Sequence, residues 1–478
     1  MSKKHFKAFS ASGFQIVSNQ FLGLLFFILL AINIKKDVFG DVNWGLALSS
    51  VIFIILTFGF DHIVVRRISA GAEVQNSAGT YFTHALLVSS LLFILLLLHQ
   101  YFFHQFHLVH QMFGAIFIGT LFSFLASPFK QVANGKEKFW HLAIMNLTPN
   151  LIKVLFLLAL LLTKSATIIN LSVLFIVAGA MDLMMSFMLS RSVFKIRLRI
   201  VLDITSYTSL IKEALPQMGV ILLDSSFARI DWILMGILST NVFTADYSFA
   251  YKAYESSRIP LLMIAPVILP KFSKVYHQNK SPHEDINKQL NELWRLEGFI
   301  SMLIPLVLIV AWKDAINRVT SNAYGDSTSY VYIILSLAVP LAYITNFKWT
   351  IAFAKGNIKL TFFISLAVTL TNLVLNMVLI PKYNAIGAAI AFFSSALLQA
   401  ILYWTNVKEP LLNLKLVYFL KPLLISIVII LLFKYLAINW ILKVLLGLIL
   451  YVIIAWVTQV YNVFTVFAEL KQILKSKG

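Results

Sequence analysis

Uninterrupted apolar blocks, each about as long as a bilayer is thick, run through this sequence from end to end. A helix crosses the roughly 30 Å hydrocarbon core with about 20 apolar residues. Stretches of that kind fall near 9–34, 42–64, 80–103, 111–133, 139–163, 168–190, 214–238, 243–270, 296–312, 330–353, 358–380, 384–406, 416–437 and 440–465. They do not alternate with period two, which excludes a transmembrane β-barrel. Hydrophobic residues make up 59% of the 478 and charged residues 12%, against about 45–50% and 25% in soluble domains. A soluble globule could not hide that much apolar side chain. The expected fold is an all-α integral membrane protein with about fourteen transmembrane helices.

A net charge of +19 invites a nucleic-acid partner, but the distribution of the basic residues argues against one. Counted by side, 26 of the 39 Lys and Arg fall in one set of loops and at the ends, 8 in the alternate loops and 5 inside spans. That asymmetry is a positive-inside signal and places both termini in the cytoplasm. The first block, Phe9 to Ile34, is too long for a signal peptide and lacks a small-x-small cleavage site before Lys35-Lys36-Asp37, so it reads as an uncleaved span. The absence of cysteine removes disulfides, iron–sulfur clusters and thiol catalysis.

The loops are short. The outer connection near Trp312–Ser329 and the inner ones near 191–213 and 271–295 are too small for a folded catalytic domain. The outer turn with His99, His104, His107 and His110 lacks acidic or Cys companions at ligand spacing, so no metal is expected there. No glycine-rich phosphate loop with its Lys is present, so ATP hydrolysis is not expected. In 191–213, Leu198, Val201, Leu202, Ile204, Tyr207 and Leu210 recur at about helical spacing beside basic residues, which predicts a short interfacial helix.

That linker separates two similar halves. Asn43-Trp44 after Val38-Phe39 matches Asp246-Tyr247 after Val242-Phe243. Ala133-Asn134-Gly135-Lys136 matches Ala354-Lys355-Gly356-Asn357, and Thr148-Pro149-Asn150-Leu151 matches Leu370-Thr371-Asn372-Leu373. The expected organisation is a six-helix bundle in 1–190, a basic amphipathic linker in 191–213, a second six-helix bundle in 214–406, and two additional helices with a cytoplasmic tail in 407–478. Six spans is an even number, so the repeats are parallel, and such designs place a central cavity between the halves.

Ala352-Phe-Ala-Lys-Gly356, Thr371-Asn-Leu-Val-Leu-Asn376 and Leu379-Ile-Pro-Lys-Tyr-Asn-Ala-Ile-Gly-Ala-Ala389 together resemble the second-half signature of the polysaccharide flippases. These form a branch of the multidrug, oligosaccharidyl-lipid and polysaccharide exporter superfamily. Ala245-Asp-Tyr-Ser-Phe-Ala-Tyr-Lys252 with Pro260 and Pro270 is similar to that family's eighth span, and Ile230-Asp231-Trp232 to the end of its seventh. The extra span pair favours this branch over the twelve-span drug-extrusion branch. The resemblance implies a non-enzymatic flippase in the bacterial cytoplasmic (inner) membrane. Its substrate would be a polyprenyl-pyrophosphate-linked oligosaccharide, such as an O-antigen unit of lipopolysaccharide or another surface-polysaccharide repeat, carried from the inner to the outer leaflet. It implies no bound cofactor, H+ or Na+ as the candidate coupling ion, and membrane lipid, a polysaccharide polymerase and a chain-length regulator as candidate partners. The alternatives are a drug/cation antiporter of the same superfamily and a membrane-embedded polysaccharide polymerase or ligase.

Charges inside spans are costly and mark cavities or partners. The cations are Lys153, Arg229, Lys252, Arg258 and Lys348, the last near enough to an inner end to snorkel. The acids are Asp182, Asp224, Asp231 and Glu255, with Asp61 near an inner end. Lys153, Arg229, Lys252 and Arg258 are the candidates for a pyrophosphate headgroup; the competing reading pairs them with the acids. Tyr247, Tyr251, Tyr254 and Arg258 share one helical face. Tyr251 and Tyr254 are candidates to stack on sugars, and Tyr247 reads as interfacial belt. Asp224, Asp231 and Glu255 are the candidates for ion coupling. Ser12, Gln15 and Asn19 form one polar stripe, and Thr361, Ser365, Thr369, Asn372 and Asn376 another. Asn372 and Asn376 are placed with the cavity; interhelical hydrogen bonding is the plainer alternative.

Overall fold

A computed structural model describes residues 3–102, 108–261, 264, 268, 272, 284–409, 412–436 and 438–461, and every regular element among them is a helix. Among the described residues, eleven helices are long and apolar enough to cross a membrane. The contacts divide the chain into two compact units, Met1–Ala245 and Asp246–Gly478.

The first unit holds α1 (Lys3–Asn33), α2 (Lys36–Leu56), α3 (Phe60–Ser69), α4 (Thr80–Phe102), α5 (Leu108–Gly135), α6 (Phe139–Leu162), α7 (Ile168–Ser192) and α8 (Ile204–Leu238). The second apolar block ends earlier than its hydropathy suggests, at Leu56 and not at 64. Phe58 (φ 51°) and Gly59 (φ 72°) both take the left-handed conformation, which a helix cannot continue through. The break frees the Leu56 carbonyl, and buried His84 from α4 satisfies it: Nε2 donates at 2.8 Å, while Nδ1 lies 3.0 Å from the Tyr207 hydroxyl. The α3 that follows is short and amphipathic.

Residues 191–213 do not form a separate interfacial helix. Residues 194–203 are not helical, and Ile204 begins the 35-residue α8, whose first turn is capped by the Asp203 carboxylate accepting from the Thr205 and Ser206 amides. The amphipathic segment from Ile204 onward is therefore the first turns of α8 itself. Four donors hold the Asp203 carboxyl down to about 2.

The start of α8 is tied to α3. Arg66 Nη2 donates to Glu213 at 2.6 Å, and Arg67 reaches both Glu213 and the Ser209 hydroxyl, the latter at 2.8 Å. The Arg67 hydrogen bond, helped by Arg66, holds the Glu213 carboxyl below its ordinary value. A depressed carboxylate stabilises the fold above its unfolded pKa and loses that contribution as pH falls through the folded one. Solvent screens this half-exposed cluster, so Glu213→Gln is expected to cost no more than about 1 kcal/mol at neutral pH. Its melting temperature should converge with wild type below about pH 4; a difference that persists there would mean the carboxylate charge is not what binds α3 to α8.

The closest helix pair in the unit is α5 and α7. Gly119 faces the Phe175 carbonyl, and Gly179 faces the Gly119 backbone, so neither position has room for a Cβ. Small residues allow such approach in membranes, where packing rather than hydrophobicity drives association. Between α6 and α1, Asn150 Nδ2 donates to Asn19 Oδ1 at 3.1 Å, so this member of the first polar stripe serves interhelical bonding.

The second unit contains α9 from Asp246 onward (the helix spans Asn241–Ser257), α10 (Glu284–Ser301), α11 (Leu303–Ala311), α12 (Gly325–Ala354), α13 (Ile358–Asn406), α14 (Val417–Lys434) and α15 (Trp440–Val457). A straight 49-residue α13 would be about 74 Å long, more than twice a bilayer core. It is not straight. Asn384 (φ 49°, ψ −129°) breaks it three residues after Pro381, and Gly387 turns back against the Leu379 carbonyl. Its two arms correspond to the blocks at 358–380 and 384–406. The helices α14 and α15 pack on α10 and α11, where Tyr451 donates to the Phe299 carbonyl at 2.6 Å and Trp294 to the Lys415 carbonyl at 3.1 Å.

Candidate functional site

A cavity of about 230 Å³ lies inside the first unit, lined from α2, α5, α6 and α7. Lys153 on α6 reaches it one turn after Pro149, which also lines it. The other polar walls are Ser50, Thr120 and Ser123. Ser50 donates to the Ala47 carbonyl and Thr120 to the Ile116 carbonyl, each at 2.8 Å. Their hydroxyl protons are thus used within their own helices, and their oxygens remain as acceptors.

The ammonium of Lys153 lies 5.9 Å from the Phe175 ring, with no ion pair to a described carboxylate. The nearest acid acting on it, Asp182 on α7, is buried and already paired with Lys130 on α5 at 2.8 Å. The cavity therefore combines an unspent cation with acceptor hydroxyls, a set that suits an anion carrying hydroxyl groups.

Asp61, the acid near the end of the second block, accepts from the Tyr81 hydroxyl at 3.0 Å and the Gln131 amide at 2.9 Å. Arg229 sits on α8 with its guanidinium 5.0 Å over the Trp232 ring, and Asp231 beside it is fully buried. The Asp224 side chain, like His104, His107 and Pro270, lies outside the described residues.

In the second unit Lys252 donates to Glu255 at 2.8 Å, one turn along α9. Tyr251 and Tyr254 are buried and pack edge-on against Phe392 of α13, with ring centroids 5.3 and 5.1 Å away. Tyr247 is also fully buried, its ring tilted against Tyr251 with centroids 5.7 Å apart; it is core and not interfacial belt. Arg258 follows the last turn of α9, its guanidinium 5.4 Å over the Tyr254 ring. Lys348 does not snorkel. It is buried, donates to the Val407 carbonyl at 2.8 Å and lies 4.4 Å over Trp404, so it caps the end of α13.

The span-eleven stripe of Thr361, Ser365, Thr369, Asn372 and Asn376 is buried along one face. Asn376 Nδ2 donates to the Asn372 carbonyl at 2.9 Å and to its side-chain oxygen at 3.1 Å.

The structure thus joins Lys252 with Glu255, Tyr254 with Tyr251 and with Arg258, and Asn372 with Asn376. It places Lys153 and Arg229 in the first unit and Lys252 and Arg258 in the second. Sequence reasoning did not single out Lys130 or Glu297, a fully buried acid on α10. It also missed Gly119 and Gly179, for which Ala178-Gly179-Ala180 was the available signal.

This architecture is shared with membrane transporters of known structure. The fold matches a lipid II flippase, MurJ, in an inward closed conformation, with a TM-score of 0.72 at 17% identity over 94% of this chain and 98% of that one. It also matches an inward-facing multidrug resistance MATE family transporter of the MOP superfamily, with a TM-score of 0.63 at 11% identity over 88% and 96% of the two chains. The chain is a multi-pass helical membrane protein of that fold. The model of the polysaccharide biosynthesis protein family matches residues 7–276, more than half of the chain, and the chain belongs to this family. A curated relative, the capsular polysaccharide biosynthesis protein CapF of Staphylococcus aureus, is 26% identical over 146 residues. That match spans 30% of this chain and about a third, 36%, of the relative.

Proposed function

We propose that the protein is a flippase for a polyprenyl-pyrophosphate-linked oligosaccharide, an O-antigen unit or another surface-polysaccharide repeat. In this reading the substrate moves from the inner to the outer leaflet of a bacterial cytoplasmic membrane in which both termini face the cytoplasm. Two six-helix halves alternate access to a shared cavity, with H+ or Na+ supplying the coupling and a polymerase and chain-length regulator acting downstream. The family, the fold it has in common with a lipid II flippase and the likeness to a capsular protein support a lipid-linked glycan.

The observation that carries the reading is Lys153, an ammonium on a hydroxyl-lined cavity with its nearest acid already neutralised. Pyrophosphate oxygens are its natural ligands and sugar hydroxyls suit the acceptors around it. A cationic drug would meet charge repulsion there, which disfavours the antiporter reading. Arg229, Lys252 and Arg258 are the further headgroup candidates, with Tyr251, Tyr254, Asn372 and Asn376 along the sugar path and Asp224, Asp231 and Glu255 as coupling candidates.

A charge-assisted hydrogen bond contributes about 1.5–3 kcal/mol, so Lys153→Ala should lower export about 10- to 100-fold. Lys153→Arg should retain a substantial part, because the charge survives. The readout is surface polysaccharide in a strain lacking the native gene, at matched membrane levels of each variant. Wild-type export from Lys153→Ala would remove this cavity from the transport path.

A further inference from the structure

A second cavity of the first unit is an apolar groove of about 400 Å³ between α4, α5 and α7. At one end Phe82, Phe129 and Phe187 meet edge to edge, with ring centroids 5.4 and 5.9 Å apart. Leu86, Phe122 and Leu183 line the rest of its length. Met184 and Phe187 on its wall are exposed, so the groove opens sideways. All three helices are long and apolar enough to cross a membrane, so what meets this opening is lipid. The groove uses a different face of α5 and α7 from the Lys153 cavity.

Charge gathers at its aromatic end. Leu183, Met184 and Phe187 share one face of α7, and Arg191 is the next residue along that face. Beyond α7 the chain turns back, with the Ile196 amide donating to the Ser190 carbonyl at 3.1 Å. It then crosses to the start of α4. There Gln75 donates to the Arg199 carbonyl at 2.9 Å, and the Val201 amide donates to the hydroxyl of Thr83, the neighbour of Phe82, at 2.8 Å. Residues 195–201 are thus a strap between two of the helices that wall the groove. Backbone outside a helix is excluded from hydrocarbon, so the strap marks the membrane surface.

Ile196 and Leu198 of the strap pack against the core, while Lys195, Arg197 and Arg199 are exposed, as is Arg191. Among the described residues none of these four cations forms an ion pair. The acids on adjoining segments are engaged elsewhere. Glu73 accepts from Asn76 at 3.1 Å, Asp203 caps α8, Glu213 holds Arg66 and Arg67, and Asp182 is paired with Lys130.

We propose that the groove and its strap bind one anionic phospholipid of the surrounding bilayer, with an acyl chain against Phe82, Phe129 and Phe187 and the phosphate among Arg191, Lys195, Arg197 and Arg199. Charge complementarity selects the occupant: an acyl chain fits the groove whatever its headgroup, but four uncompensated cations at the surface favour a net negative one. The site is independent of the headgroup reading of Lys153.

The test uses the purified full chain in detergent and two probes, dioleoyl phosphatidylglycerol and zwitterionic dioleoyl phosphatidylcholine, each with a photoreactive diazirine in one acyl chain. Half-saturation of labelling reports affinity, and the labelled peptide reports the place. The anionic probe should half-saturate at a concentration about 10- to 100-fold lower and label the groove segments of α4, α5 or α7. Each of Arg191→Gln, Lys195→Gln, Arg197→Gln and Arg199→Gln should weaken it about fivefold, and all four together should bring it to the level of the zwitterionic probe. These side chains are exposed, so the melting temperature without lipid should not move. Leu183→Trp fills the groove and should remove labelling there by both probes; Met184→Trp, at a more exposed position, does the same if Leu183→Trp fails to fold. Equal half-saturation of the two probes, a preference that survives the fourfold Gln variant, or labelling outside the groove overturns the proposal. So does competition by farnesyl pyrophosphate where unlabelled phosphatidylglycerol does not compete, which would give the groove to an isoprenoid chain.

Discussion

Replacing Gly179 by leucine should remove most of the folded protein from the membrane. A Cβ at this position enters the Gly119 backbone, and a Cβ at Gly119 enters the Phe175 carbonyl, so both substitutions must push α5 and α7 apart. This is the most extensive helix pairing in the first unit, and both glycines line its cavity. Overpacking against a side chain costs about 1–3 kcal/mol. Here the obstacle is backbone on both sides, which no rotamer change can relieve, and the cost should exceed that range. Gly114→Ala on the same α5 is the control, because nothing among the described residues lies within 4 Å of a Cβ there; it should be neutral or slightly stabilising. Monodisperse yield and melting temperature in detergent report the result. Wild-type values for Gly179→Leu would mean that α5 and α7 do not touch at this point.

How much of this was readable beforehand follows from which physical signal each feature leaves. Hydropathy over about 20 residues records a requirement of the bilayer, so most of the apolar blocks lie in helices among the described residues. The same signal is blind to backbone conformation. Thr57-Phe58-Gly59-Phe60 is apolar enough to continue a span, yet two successive left-handed residues end α2. The 49-residue α13 shows the converse, since its reversal at Asn384 was legible from Pro381 and from length alone.

Helical spacing correctly placed Tyr247, Tyr251 and Tyr254 on one face. What that face meets, Phe392, depends on tertiary packing that spacing does not encode. Charges behaved likewise. Lys252 and Glu255 are near neighbours in sequence and their pairing was foreseeable. Lys130 and Asp182 stand 52 residues apart, and only the contact of α5 with α7 joins them. Glu297 is the extreme case, because what distinguishes it is the absence of a partner among the described residues, and absence leaves no pattern in a sequence.

The Lys130–Asp182 pair gives the sharpest test of the first-unit site. Asp182 is 1% exposed and acts on two lysines, Lys130 at 2.8 Å and Lys153 through space. Lys130→Met should therefore do two things. It leaves a buried carboxylate uncompensated, which costs about 3–5 kcal/mol when one partner of a buried pair is removed. It also leaves Asp182 free to take Lys153 out of the cavity, so export should fall even in the fraction that folds. Replacing both residues, Lys130→Met with Asp182→Leu, exchanges the pair for apolar side chains of similar volume, a change that is often neutral. The double variant should regain stability, and with no acid left to hold Lys153 it should regain export. Adding Lys153→Ala to the double variant should abolish export again without a further fall in melting temperature. A double variant that is stable but still inactive would place Lys130 itself on the substrate; full activity from Lys130→Met alone would mean that Asp182 does not govern Lys153.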